Sequence, residues 1–159
     1  AGNAKIGSIV GGSARKGGLI KKRFLSNNPK LNTLIDSSQR GAKKGWFSSL
    51  DGRKVLLRRD KFTGEVQTHK ALNTKLQTAG AVVMKWSMYL LDKWVAEMGL
   101  DVRKVVDMHD EGQAEVHIKD INMYKYLARQ SIIEAGKLLK LNCPLDAEAK
   151  VGTNWAGTH

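Results

Sequence analysis

From His69 to Met98, apolar residues recur at alternating four- and three-residue steps: Leu72, Leu76, Ala79, Val83, Trp86, Leu90 and Trp94. That spacing draws one continuous apolar stripe along a helix of roughly 45 Å, long enough to run through the core of a chain of this size. A second stripe accompanies it. His69, Asn73 and Gln77 are four apart, so each advances only about 40° and the three share a polar face. Most polar faces are simply solvated. Three donor and acceptor side chains one turn apart also suit successive base edges in a minor groove, where acceptors occur on every pair.

Around this helix the periodicity changes. Residues 1–44 combine Gly, Lys, Ser and Asn with apolar residues at helical intervals, which predicts two or three short helices separated by turns at Gly11-Gly12 and Gly17-Gly18. No Gly-Lys-Ser/Thr follows those glycines, so they read as turns rather than a phosphate cradle. Trp46 to Arg59 reads as a hairpin about Asp51-Gly52, and residues 60–68 as a polar connector. Lys104–Met108 and Gln113–Ile118 read as a second hairpin with Asp110, Glu111 and Gly112 at its tip. Asp120 stands where it would cap a helix buried through Ile121, Tyr124, Leu127, Ile132, Ala135 and Leu138. A last strand is expected over 145–151, with Trp155 anchoring the tail. Without a βαβ rhythm these elements make an α+β fold, an antiparallel sheet with helices on one face.

The tip of the second hairpin carries the chemistry. His109-Asp110-Glu111 places two adjacent carboxylates where they can face one point in space, and Mg²⁺ prefers such hard oxygen ligands. That is the chemistry of phosphoryl transfer. A chance acidic pair in a turn is the plainer reading of those residues taken alone. Charge adds a partner: the net charge is +12, and residues 1–60 hold 14 basic and 3 acidic residues against 13 and 12 in residues 61–159. The basic excess in the first segment suits a polyanion such as nucleic acid. A single Cys143 excludes an internal disulfide and a Cys zinc cluster, and fits a reducing compartment. With no apolar run of membrane length and no signal-peptide pattern, a cytoplasmic protein without membrane association is expected. The chain opens on Ala1 rather than Met, which suggests processing or a piece of something longer.

Taken in order, Ala1-Gly2-Asn3-Ala4-Lys5-Ile6-Gly7-Ser8-Ile9-Val10, Leu50-Asp51-Gly52-Arg53-Lys54-Val55, Ala71-Leu72-Asn73-Thr74-Lys75-Leu76-Gln77-Thr78-Ala79-Gly80-Ala81, His109-Asp110-Glu111 and Gly152-Thr153-Asn154-Trp155 up to His159 resemble the C-terminal part of a family A (polymerase I type) DNA polymerase. The likeness is greatest to the replicative enzymes of short-tailed phages, and it covers essentially the whole chain. It implies a helical fingers segment over 1–44 and a palm segment over 45–159. It implies that Asp110 is the second metal-binding aspartate of the palm, Glu111 the neighbouring carboxylate, and His109 a contact to the primer near its terminus. It further implies that Asn73 and Gln77 hydrogen-bond the duplex minor groove, that His69 stands where many relatives carry Arg, and that Arg53 lies near the primer backbone. Gln113 sits close to the motif with no role assigned by it.

The same resemblance exposes what the chain lacks: the family's first palm aspartate, and the fingers helix whose Arg, Lys and Tyr hold the incoming nucleotide. Two carboxylates are too few to hold two divalent ions. The expectation is therefore part of a DNA-directed DNA polymerase, using Mg²⁺, primer-template DNA and dNTP. It would be active only beside a separate chain carrying the remaining segments, across a large and partly hydrophobic interface. The alternative is a non-catalytic DNA-binding module derived from a polymerase. A nuclease is the poorer reading, because the family's proofreading carboxylates belong to another domain.

Overall fold

The computed structural model describes residues 2–158. Its contacts divide the chain into two compact units, Ala1–Phe47 with Leu56–Thr74, and Ser48–Val55 with Lys75–His159. The elements in order are α1 (Asn3–Ile9), α2 (Ala14–Asn27), α3 (Pro29–Ala42), β1 (Trp46–Ser48), β2 (Lys54–Leu56), α4 (Ala71–Met98), β3 (Val102–Met108), β4 (Glu111–Val116) and α5 (Ile121–Leu138). The mixed α+β class stands, with the antiparallel pairing held in two separate hairpins, β1–β2 and β3–β4.

In the first unit α1 packs on α2, and α2 on α3. Ser13 caps α2 by accepting a hydrogen bond from the Lys16 amide, while Asn28 closes it by donating from Nδ2 to the Phe24 carbonyl at 2.8 Å. Pro29 then opens α3 at a first-turn position where its missing amide proton costs nothing. Gly11-Gly12 forms the expected turn, with Gly11 at φ 64°. Gly17-Gly18 does not: both lie inside α2. A Cβ on Gly17 would stand 2.0 Å from the Asn3 carbonyl oxygen, so Gly17 is there to let two helices touch. Ala42, Leu57 and Ala71 make the buried core of this unit, with Phe47 and Val66 against it. The polar connector is a turn held by Asp60, whose carboxylate accepts from the Phe62 and Thr63 amides at 2.9 and 3.0 Å.

The first hairpin turns more loosely than its Asp-Gly suggests. Leu50, Asp51 and Gly52 form a three-residue loop, closed by the Ser49 amide donating to the Arg53 carbonyl, with Gly52 at φ 83°.

The second unit is built on α4, which at 28 residues spans about 42 Å. It ends at Gly99, whose φ of 63° permits the helix to close on the Ala96 and Val95 carbonyls. Its buried face runs through Val83, Ser87, Leu90 and Leu91, whereas Trp86 and Leu76, expected in the stripe, are exposed. The reason lies in α5. Ser87 and Ser131 are buried with their hydroxyls 2.8 Å apart, and side chains this small permit the two helices to meet.

Ser131 has one hydroxyl proton, and it goes to the Ala128 carbonyl at 2.8 Å, so Ser87 must donate to Ser131. An asymmetry in stability is expected from that direction. Ser131→Ala strands a buried Ser87 donor and should cost about 1–3 kcal/mol, whereas Ser87→Ala leaves Ser131 satisfied and should cost about 0.5–1.5 kcal/mol. Chemical denaturation of the two variants checks the order.

Two local expectations are corrected. Asp120 sits at the start of α5 without capping it, because its carboxylate accepts from the Asp101 amide at 2.9 Å instead. Residues 145–151 form no strand, for no backbone ladder pairs with them among the described residues. Arg129 of α5 holds this extended segment from its side, donating to both oxygens of Asp146 at 2.6 and 2.8 Å.

The Arg129 hydrogen bonds, followed by one from the Ala147 amide, keep the Asp146 carboxyl below its usual 3.8. A pKa lowered by docking means that docking is favoured by the ion pair above the free carboxylate's pKa and loses that support as pH falls through the lowered value. The Ala147 amide shift should accordingly titrate with a midpoint under 3.8. A midpoint at or above that value would contradict the contact.

Candidate active site

The β3–β4 ladder runs Val102↔Val116, Arg103↔Glu115, Lys104↔Ala114, Val106↔Gln113, Asp107↔Gly112 and Met108↔Glu111. Only His109 and Asp110 are left for the turn, and His109 takes it at φ 53°, a left-handed conformation that His tolerates better than branched residues do. Asp110 is exposed at this bend, while Glu111 already belongs to β4 and is half-buried. The tip is therefore two residues, one fewer than the expected Asp110-Glu111-Gly112.

Glu111 is held in place by Gln113, whose Nε2 donates to its Oε1. Residues two apart in a strand share a face, which is the signal that assigns Gln113 a role sequence reasoning left open. Gly112 lets α4 approach: a Cβ there would lie 2.6 Å from the Met88 methyl carbon.

Asp110 and Glu111 open on a cleft of about 480 Å³. Met84, Ser87, Met88 and Leu91 of α4 form one wall, and Tyr124, Lys125 and Ala128 of α5 another. Ala147 to Gly152 and Thr158 also line it. Sequence reasoning gave no place in the site to Lys125 or to this C-terminal segment, whose alternation was read as a strand and not as a cleft wall. Burial pushes the Tyr124 hydroxyl pKa up, the charges of Asp92 and Asp107 push the same way, and Lys104 opposes them. Tyr124 thus stays a protonated hydrogen-bond donor at neutral pH.

The other expected residues lie elsewhere. Asn73 and Gln77 are exposed, four apart on α4, and share a face. His69 is exposed but falls in a 3-10 turn, Thr68–Lys70, that precedes α4. The 100° step of an α-helix does not carry across that junction, so the three-residue stripe is secure only for Asn73 and Gln77. Arg53 is engaged: its Nε and Nη2 each lie 2.6 Å from Asp51 Oδ2. Arg53 first, and then Ser49, hold the Asp51 carboxyl well below the usual carboxylate range. Because the Arg53 side chain is 61% exposed, a phosphate could still reach its outer edge.

Among the described residues no three His, Cys, Asp or Glu side chains converge as a metal group. Mg²⁺ commonly takes one or two protein carboxylates and completes its shell with substrate phosphates and water. The Asp110-Glu111 donor set fits that pattern for one ion, and a second ion would need further anionic ligands. No helix among the described residues is long and apolar enough to cross a membrane.

Comparison with known proteins shows the family. Residues 2–157 match the model of DNA polymerase family A. The chain is 46% identical to a DNA-directed DNA polymerase of Escherichia phage Phieco32 over its full length, covering 26% of that enzyme. It is 34% identical to that of Escherichia phage T7, again over all of this chain and 25% of the relative. A solved structure, the POL domain of Pol1 from M. smegmatis in complex with DNA primer-template and dNTP, superposes with a TM-score of 0.73. That match covers 84% of this chain and 24% of the other at 20% identity, and it bears on the fold. The chain belongs to DNA polymerase family A, and it spans about a quarter of the length of its phage relatives.

Proposed function

We propose that this chain supplies part of the nucleotidyl-transfer site of a DNA-directed DNA polymerase and grips the primer-template duplex. The observation that carries the reading is the placement of Asp110 and Glu111 at a two-residue bend over an open cleft, in a chain matched to family A along nearly all its length. On this reading residues 1–44 are the fingers segment and 45–159 the palm segment.

Asp110 and Glu111 would hold Mg²⁺, which would supply electrostatic stabilisation for the charge that develops in nucleotidyl transfer. His109 steadies the primer terminus beside them. Asn73 and Gln77 contact the minor groove, where acceptors common to all pairs report correct shape without reading sequence. His69 and Arg53 add contacts to the duplex backbone. A separate segment provides the remaining metal carboxylate and the triphosphate-binding side chains, because two carboxylates cannot satisfy two ions. Exposed Leu19, Phe24 and Leu34 on α2 and α3 supply apolar surface for such a partner.

Primer extension by the assembled polymerase, wild type against Asp110→Ala, tests this. Loss of extension with duplex binding retained supports the reading. Unchanged extension would leave a non-catalytic DNA-binding module, the role that the basic excess in residues 1–60 alone supports.

A further inference from the structure

Outside the cleft, three charged side chains tie β3 to α4. Lys104 Nζ lies 2.6 Å from Asp92 Oδ2 on α4 and 3.4 Å from Asp107 Oδ2 on its own strand. The second contact is unexpected from sequence, since residues three apart in a regular strand point to opposite faces. The ladder explains it. Lys104 pairs with Ala114 and Val106 with Gln113, so β3 uses two residues where β4 uses one, and Val105 is the extra. A bulge of this kind resets the alternation and brings Lys104 and Asp107 to one side.

The position of the bridge matters more than its strength. All three side chains are partly exposed, and ion pairs of that kind add little to overall stability. What the bridge does is fasten β3 to α4 before the bulge, through Lys104 and Asp92, and tie Lys104 to Asp107 across the bulge, in the six residues that precede Asp110. Without it the bulge is a point about which the outer hairpin can pivot, and the carboxylate at the end of the lever moves most.

We infer that Lys104 is a positioning residue: by clasping Asp92 and Asp107 across the Val105 bulge, it sets where the Asp110 carboxylate stands, without itself touching substrate. The inference rests on the polymerase reading above.

Lys104→Met and Lys104→Arg, introduced into the polymerase assembly that contains this chain, test it by two readouts. In Lys104→Met, amide exchange over residues 106–113 should quicken about tenfold with α5 unchanged, and kcat should fall about tenfold while KM for dNTP stays within about twofold. Lys104→Arg should restore both, because a guanidinium can span two carboxylates. Asp92→Asn repeats the test from the helix side without altering the strand. Wild-type exchange and kcat in Lys104→Met, an equal rise in exchange across the whole unit, or no rescue by Arg would each overturn the inference. If Asp110→Ala is inactive while Lys104→Met behaves as wild type, the Lys104 role alone falls. If Asp110→Ala extends primers normally, the polymerase reading fails and takes the Lys104 role with it.

Discussion

Replacing Asp110 with alanine is expected to slow primer extension by roughly 10³-fold, equivalent to about 4 kcal/mol of lost transition-state stabilisation. Duplex affinity should change little, because the contacts assigned to Asn73, Gln77 and the basic N-terminal segment do not involve this carboxylate. The site itself makes the experiment clean. Asp110 is exposed in a two-residue turn and lies outside the strand ladder, so its removal should leave the fold intact. Asp110→Asn sharpens the outcome. It keeps the shape and removes the charge, so a loss nearly as large as that of alanine points to metal binding rather than to the turn. Single-turnover extension at saturating dNTP, with duplex binding measured in parallel, separates the two quantities.

A second large effect is expected far from that chemistry. Gly17→Ala would bring a methyl group 2.0 Å from the Asn3 carbonyl oxygen and 2.5 Å from the Gly7 nitrogen, both rigid backbone atoms. Helix propensity favours the change by about 1 kcal/mol, but pushing two packed helices apart costs about 1–3 kcal/mol or more, and the steric cost wins. Gly41→Ala is the control, since nothing lies within 4 Å of a Cβ there and only the gain in propensity remains. Amide exchange in α1 and α2 should therefore accelerate in the first variant and slow slightly around α3 in the second. Stabilisation by Gly17→Ala would mean that α1 does not pack on α2.

These two positions show what could be read in the chain and what could not. The β3–β4 hairpin and the long α4 were legible because their alternation and 3.6-residue period are local properties of the sequence. Gly17 was misread as a turn because a glycine needed for freedom and a glycine needed for smallness look identical until the neighbouring helix is placed. The same holds for Ser87: a stripe drawn by hydrophobicity chooses Trp86, whereas the actual buried face is decided by how closely α5 approaches. Residues 145–151 have strand-like composition, yet a strand exists only with a partner to pair with.

At the candidate site, Asp110 and Glu111 were singled out by the motif, but the contacts that support them were not legible in it. Gln113 fastening Glu111 depends on the strand face, and the Lys104 contact depends on a bulge that no periodicity announces. His69 illustrates the converse. Its spacing from Asn73 was right, and a change of helix type between them breaks the geometric conclusion.

The two-residue bend has one more consequence. With Met108 and Glu111 already paired, there is no slack in the chain at the summit, and adding or deleting one residue there would displace the carboxylate by about 3.3 Å, farther than the metal-ligand role proposed for it would tolerate. Substitution can tune this apex, but its length is locked, so insertions among relatives should gather at the open ends of the two strands and spare their junction.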